Sequence, residues 1–245
     1  MRHEFIYNGM NSRDYGLTVS GEGIWTRPQP DITRIAVPGR NGDLIQLGNR
    51  YQNLDITYHC GIVKNLRTNF DAFNAALLAS PGYHRLEDSY HPEYYRMAVI
   101  ESALDPDVKQ RGIVGEVDIE FNCKPQLFLK TGEIKQTMTV DSVIYNPTPY
   151  TASPSIRFSF SNGGEGGSIT INGRTISVQV PHTVDDIVID CAKQDIYLLD
   201  TRQNLNNLFV LSDGEFFELY PGRNSVYFTG MNANVIHVTP NWWTV

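Results

Sequence analysis

The sequence predicts a mainly β protein in two units: an antiparallel sheet carrying one helix, then a β-sandwich or barrel. Three observations predict it. Short segments alternate apolar and polar side chains with period two, the spacing of a strand with one face in a core and one in water. Clusters of Gly, Pro, Asn and Asp separate these segments at short intervals. Only residues 65–79 repeat apolar residues at helical spacing. At 245 residues the chain can bury roughly 70% of its unfolded surface.

In order, Phe5-Ile6-Tyr7 and Gly16-Leu17-Thr18-Val19 read as strands separated by Asn8-Gly9 and the polar run Asn11-Ser12-Arg13-Asp14. After Pro28-Gln29-Pro30, residues Asp31 to Val37 alternate, and return strands through Leu44-Ile45-Gln46-Leu47 and Leu54 to Cys60 extend the same antiparallel sheet. Between the first two lies Val37-Pro38-Gly39-Arg40-Asn41-Gly42-Asp43-Leu44. Pro38 presets φ for a turn, Gly39 supplies positive φ, and Asn41-Gly42 is a hairpin signal. The double reversal leaves Arg40, Asn41 and Asp43 standing out of the backbone, as a solvated tip or as a contact.

The helix spans about Asn65 to Ala79, with Leu66, Phe70, Phe73 and Leu77 on one face, Asn65 as candidate N-cap and Pro81-Gly82 as the stop. The span from Gly82 to Ala98 then crowds Tyr83, Tyr90, Tyr94 and Tyr95 among His84, Glu87, Asp88, His91 and Glu93. It reads as an exposed hairpin or as a protein-binding surface, for which tyrosine and arginine supply large contact area with a polar handle. A metal or acid–base site from His84, Glu87, Asp88 and His91 has no recognised ligand spacing behind it. After Asp105-Pro106-Asp107, the run from Ile113 to Phe121 sets Ile113, Gly115, Val117, Ile119 and Phe121 on one face and Glu116, Asp118 and Glu120 on the other. That acidic face is either solvated or, if it lines the bore of a ring, repels a passing polyanion.

Lys124-Pro125 closes the first unit, residues 1–130, and Lys130-Thr131-Gly132-Glu133 reads as a connector to the second, residues 131–245. Strands follow at Lys135 to Val140, Ile156 to Phe160, Ser168 to Ile171, Thr175 to Val180, Ile187 to Asp190, Asp195 to Leu199, Glu215 to Leu219, Val226 to Thr229 and Val235 to Thr239. The Gly163-Gly164-Glu165-Gly166-Gly167 run lacks the lysine and hydroxyl of a phosphate-binding loop and reads as a hairpin tip. Trp242-Trp243 read as a packed final strand in preference to a sugar platform.

With 20 basic and 27 acidic residues, the net charge of −7 disfavours a general nucleic-acid binder. No apolar run is long enough to span a membrane, and the N-terminus opens directly into strand-like text, so synthesis and folding in a cytoplasm are expected. Cys60, Cys123 and Cys191 are odd in number and far apart, which suits buried reduced thiols; a Cys60 to Cys123 bridge is the alternative. No cofactor or metal is expected.

The chain resembles the distal tail protein family of long-tailed bacteriophages. The resemblance rests on the order of several segments: Asn11 to Leu17, Val37 to Gly42, and the Gly82 to Ala98 hairpin around Arg85-Leu86-Glu87-Asp88. In the second half it rests on Asn146-Pro147-Thr148 with Pro154-Ser155-Ile156, on Ile171-Asn172-Gly173, and on Phe217-Glu218-Leu219 before Pro221-Gly222. It implies an N-terminal β-sandwich with a helix and a hairpin, closing into a homohexameric ring, and a C-terminal galectin-like β-sandwich. It further implies a tail-tip hub between the major tail tube protein and a tail-associated lysin or fibre protein. A receptor-binding protein would sit at the periphery, DNA would pass only through the channel, and no membrane would be involved. Carbohydrate binding does not follow from a galectin-like fold, and no His-x-Asn-Pro-Arg sugar motif is present: Asn146-Pro147 is followed by Thr148 and His182 by Thr183. The chain also looks too short for an inserted carbohydrate-binding module. The competing functions are a carbohydrate-binding adhesion module and, more remotely, a hydrolase using Glu87 and Asp88.

Overall fold

Period-two runs become strands throughout the first unit, which comprises Met1–Leu127 and Val245. In chain order they are β1 (Phe5–Tyr7), β2 (Met10–Asn11), β3 (Leu17–Ser20), β4 (Pro30–Ile35), β5 (Leu44–Tyr51), β6 (Leu54–Ile62), β7 (His84–Asp88), β8 (Tyr94–Val99), β9 (Asp107–Lys109) and β10 (Val114–Cys123); helix α1 spans Leu66–Leu78. The computed structural model describes residues 3–21, 23–62, 65–101, 104–109, 113–160, 166–178, 186–230 and 235–245.

The main sheet of this unit runs β2-β1-β7-β8-β10-β6-β3, with β9 added on β10. A bridge between His3 and Val19 brings the entrance of β1 onto β3 at the far end of that order, so the sheet curls back on itself. At its centre β6 and β10 pair over nine consecutive positions, from Leu54 opposite Cys123 to Ile62 opposite Gly115. Because side chains alternate faces, Ile56, Tyr58, Cys60, Val117, Ile119 and Phe121 all point into the core. Phe5 joins them, its ring 4.9 Å from Tyr58 and 5.5 Å from Phe121. Ile113 precedes the strand and is exposed, so the buried face is one residue shorter at that end than the alternation predicts.

Helix α1 covers this core with Leu66, Phe73 and Leu77, all buried, while Phe70 packs at the margin. The helix approaches β10 at Gly115, where a Cβ would fall 2.8 Å from Leu66 Cδ2. Asn65 precedes the helix as expected but makes no side-chain cap, because its φ of 50° puts it in the left-handed region and not in the extended conformation that aims a capping oxygen at the first turn.

The ribbon β4–β5 departs from the sequence expectation. Among the described residues these two strands pair only with each other. From Ile32 to Arg50 every side chain except Val37 is exposed, so the alternation here does not mark a core face.

The second unit, Phe128–Thr244, holds β11 (Leu127–Leu129), β12 (Gln136–Thr139), β13 (Ser142–Asn146), β14 (Ser155–Phe158), β15 (Gly167–Ile171), β16 (Arg174–Val178), β17 (Ile187–Asp190), β18 (Asp195–Leu198), β19 (Phe209–Leu211), β20 (Gly222–Thr229), β21 (Val235–Thr239) and β22 (Trp243–Thr244). Two five-stranded sheets, β12-β21-β14-β17-β18 and β13-β20-β15-β16-β19, enclose a core of Ile156, Phe158, Ile189, Ile236, Ile171, Ile176, Val226 and Phe228 among others. Glu215 to Leu219 is not a strand. Leu219 makes an isolated antiparallel bridge to Ala152, and side chains reach the carbonyls around it: Arg174 Nη1 donates to Phe216 O, Asn172 Nδ2 to Glu218 O and Asn146 Nδ2 to Leu219 O. The sequence reading missed β13, hidden before Asn146-Pro147, and β19. Lys130–Glu133 forms a short 3-10 turn, with Gly132 so close to Trp242 that a Cβ would meet its backbone nitrogen at 2.4 Å. Trp242 is buried in this core, and Trp243 donates to Thr151 O at 2.9 Å while stacking on Tyr150. Gly163 to Glu165, His182 and Thr183 lie outside the described residues.

The three cysteines are free and buried, and burial pushes each thiol up to about 12. Cys60 stands opposite Val117 and Cys123 opposite Leu54, six positions apart along one ladder or about 20 Å at 3.3 Å per residue, so these two cannot bridge. Their raised pKa favours the folded state fully below the unfolded thiol value near 9, and that contribution is lost as pH climbs toward 12. Native protein at pH 8 should therefore resist thiol alkylation, with all three sites labelled only after denaturation, and stability should fall from about pH 9 upward. Phe73→Ala and Phe121→Ala should each cost about 3–5 kcal/mol in denaturant unfolding.

Candidate assembly surfaces

The ribbon is built on a braced root. Asp31 Oδ2 accepts from Arg50 Nε at 2.7 Å and its Oδ1 from Gln52 Nε2 at 3.3 Å, while Gln52 N–H donates to Gln29 O at 2.8 Å. These hydrogen bonds, that of Arg50 first, hold the Asp31 carboxyl below its ordinary value. The Asp31 side chain lies across Gly48, where a Cβ would approach Asp31 Oδ2 to 2.7 Å. At the other end Arg40 N–H donates to Val37 O at 3.2 Å, with Gly39 and Gly42 at φ of 78° and 82°. Arg40, Asn41 and Asp43 are all exposed at this tip.

Register decides what the ribbon shows. Ile32 stands opposite Leu47 and Arg34 opposite Ile45, so Ile32, Ile45 and Leu47 share one face with Arg34. These aliphatic side chains are 40%, 63% and 61% exposed. The other face carries Ile35 opposite Leu44 near the tip. Trp25, just before the ribbon, is 77% exposed. Sequence reasoning missed this apolar surface because the same alternation ordinarily marks a half-buried strand.

The tyrosines of the 82–98 hairpin have separate surroundings. Tyr83 accepts from Asn53 Nδ2 at 2.7 Å, and Lys124 Nζ sits 4.9 Å from its ring centroid. Tyr90 donates to Gly21 O at 3.0 Å and stacks on His3. Tyr95 lies under the Arg85 guanidinium at 3.8 Å. Tyr94 opens β8 half-buried, its N–H on His91 O at 3.0 Å. His84 Nε2 lies 3.1 Å from Ser80 O and Glu87 pairs with Arg85. Glu87 and Asp88 are neighbours on one strand and point to opposite faces, so they do not form the carboxylate pair a hydrolase would need.

Glu116, Asp118 and Glu120 project together from the outer face of β10, opposite Gly61, His59 and Thr57. A cleft of about 520 Å³ runs along this face, lined by Thr18, Ser20, His59, Cys60, Gly61, Glu116 and Asp118. Ser20, His59 and Asp118 stand side by side on β3, β6 and β10. His59 Nδ1 is 2.6 Å from Asp118 Oδ1, but Ser20 Oγ donates to the His59 carbonyl oxygen at 3.1 Å. The hydroxyl is thus engaged by backbone and is not aimed at the imidazole as a nucleophile would be.

In the second unit, the segments that carry the family resemblance hold corners together. Asn146, buried, donates to Tyr150 O and Leu219 O and accepts from the N–H and Oγ1 of Thr148. Asn224, also buried, accepts from Asn172 Nδ2 at 2.7 Å and from Tyr220 N–H at 2.8 Å, and donates to Tyr220 O and Gly222 O. Residues 148–242 match the family model described as siphovirus-type tail component, C-terminal domain. The second unit belongs to that family.

With this siphovirus-type tail component unit at one end, the whole chain is also similar in fold to solved phage proteins. The crystal structure of the Dit protein of phage SPP1, described as a paradigm of the hub adsorption apparatus in phages infecting Gram-positive bacteria, shares 15% identity at a TM-score of 0.76, over 97% of this chain and 98% of that one. The phage P2 baseplate in its activated conformation with calcium gives 8% identity and a TM-score of 0.56, over 97% and 98%. The same baseplate with strontium gives 8% and 0.55, over 97% of each chain. No curated protein sequence matches the chain. The resemblance read from the sequence is the one these comparisons find.

Because hydrogen bonds depress the Asp31 pKa, the brace at the ribbon root is complete above the ordinary carboxylate pKa of about 3.9 and is lost only as pH falls through its lower folded value. An Arg50 Hε resonance protected from exchange should therefore persist at pH 4 and vanish on further acidification. Asp31→Asn should remove that pH dependence.

Proposed function

We propose that this chain is a non-enzymatic structural protein of the tail tip of a long-tailed bacteriophage, six copies of which close into a ring joining the tail tube to the host-adhesion proteins. The exposed ribbon carries the reading. A lone two-stranded hairpin is marginal in water, yet this one turns Ile32, Ile45 and Leu47 outward with no further strand beside it among the described residues. Closure of a ring joins two different patches of each copy, and an adjacent subunit is the surface that would cover the ribbon. Arg40, Asn41 and Asp43 at the tip, with Tyr83, Tyr90, Tyr94 and Tyr95 of the hairpin, are the candidate contacts to a neighbour or partner.

Family membership of the second unit, and the likeness of the whole chain to a hub protein and to baseplate structures, support this location. In such a ring the carboxylates of Glu116, Asp118 and Glu120 line the channel and keep passing DNA from adhering. One face meets the major tail tube protein, the other a tail-associated lysin or fibre protein, and the periphery a receptor-binding protein. The ring is made in the host cytoplasm and works in the virion without touching a membrane or using a cofactor. The second unit acts as a galectin-like sandwich outside the ring. The alternative, a carbohydrate-binding adhesion module, draws on Tyr145, Tyr220 and Tyr227, which are exposed on that unit; it predicts glycan binding by the intact chain without association.

Six copies of the 27.7 kDa chain give a particle of about 166 kDa. Light scattering of concentrated protein should find that mass. Ile45→Asp with Leu47→Asp should return single 27.7 kDa copies, and Arg40→Ala with Tyr94→Ala should weaken the particle. A ring indifferent to all four changes would remove the ribbon and the hairpin from its contacts.

A further inference from the structure

Arg96 is the one basic side chain that is buried among the described residues, at 5% exposure. It stands on β8 opposite Leu86, and both its terminal nitrogens are buried without a hydrogen-bond partner. A guanidinium does not shed its proton to escape such a position, and leaving a buried charge unpaired is among the most costly arrangements a core can hold. Asp88, which acts on Arg96 through space, has its oxygens engaged elsewhere. Its Oδ2 accepts from Tyr58 OH at 2.9 Å, and its Oδ1 accepts the N–H of Tyr90 at 2.9 Å and of His91 at 2.8 Å. A second guanidinium, Arg27, repels Arg96. Arg27 is exposed, donates to Thr26 O at 3.2 Å and forms no ion pair among the described residues. Among the described residues, two cations against one engaged carboxylate leave a local excess of one positive charge, in a chain that is acidic overall.

We propose that Arg96 binds one small monoanion, a halide or a carboxylate, on its free terminal nitrogens, with Arg27 adding positive charge to its surroundings. One negative charge cancels the excess, and the two donors of the guanidinium fork suit an acceptor with several lone pairs. Burial of Arg96, at 5% exposure, selects small size. The anion is drawn from solution or is supplied by a carboxylate side chain of a second copy. The site does not depend on ring formation: a dissolved anion fills it in a single copy, so failure of the ring leaves it standing.

The test titrates sodium bromide into intact protein at constant ionic strength, balanced with the sodium salt of a bulky sulfonate. At one hundred times its dissociation constant, bromide should raise the thermal midpoint by about 5 °C. Crystals grown in bromide should show an anomalous peak within hydrogen-bond distance of Arg96. Arg96→Met should abolish both signals. If that variant does not fold, Arg27→Glu, which reverses a charge that acts on Arg96, should abolish the bromide dependence in a folded protein. A neighbouring copy's carboxylate on Arg96 in associated protein, with no bromide effect, supports the second source. Water alone on both nitrogens with no bromide effect, or a bromide effect that survives in either variant, overturns the proposal.

Discussion

The nine-position ladder between β6 and β10 is the constraint on which the first unit depends. Its register sets Tyr58, Ile119 and Phe121 inward and Glu116, Asp118 and Glu120 outward. A slip of one position would exchange the two sets, burying carboxylates and exposing aromatics. The aromatic cluster with Phe5 and Phe73 locks that register from inside, and the helix closes over it at Gly115. One physical choice therefore yields both the core and an acidic face.

Where the apolar pattern was strongest, sequence and structure coincide. Leu54 to Cys60 and Val235 to Thr239 by alternation, and Ile187 to Asp190 by a continuous apolar run, were legible as strands because their apolar residues are largely inside. The ribbon was legible as two strands and a double turn, but not in its surroundings. Ile32, Ile45 and Leu47 have the pattern of a core face and no core within one copy, and a pattern of side chains does not state whether the apolar partner lies in the same chain. Glu215 to Leu219 misled for a different reason. Phe217 and Leu219 are buried as in a strand, but the pairing shrinks to one bridge between Leu219 and Ala152, and Arg174 and Asn172 take the carbonyls of Phe216 and Glu218. Contacts between residues so far apart in sequence leave no local signature.

Of the candidate surfaces, the charge-bearing turn and the acidic strand face were found by residue type and position. The hairpin tyrosines were found as a group, although in the fold they divide among His3, Asn53, Arg85 and Gly21. Arg96 was not found, since one arginine in a strand looks like any solvated cation until its nitrogens are located. The buried Asn146, and Asn172 through its bond to Asn224, show the converse: segments chosen for their family resemblance prove to hold corners by hydrogen bonds. That gives a physical reason for those segments, independent of any ligand.

The account stands on association through an apolar ribbon that one copy leaves uncovered. Images of negatively stained purified protein test this most directly. They should show sixfold rings with an open central channel. Lone particles without a channel, at high concentration and in assembled tails alike, would contradict it.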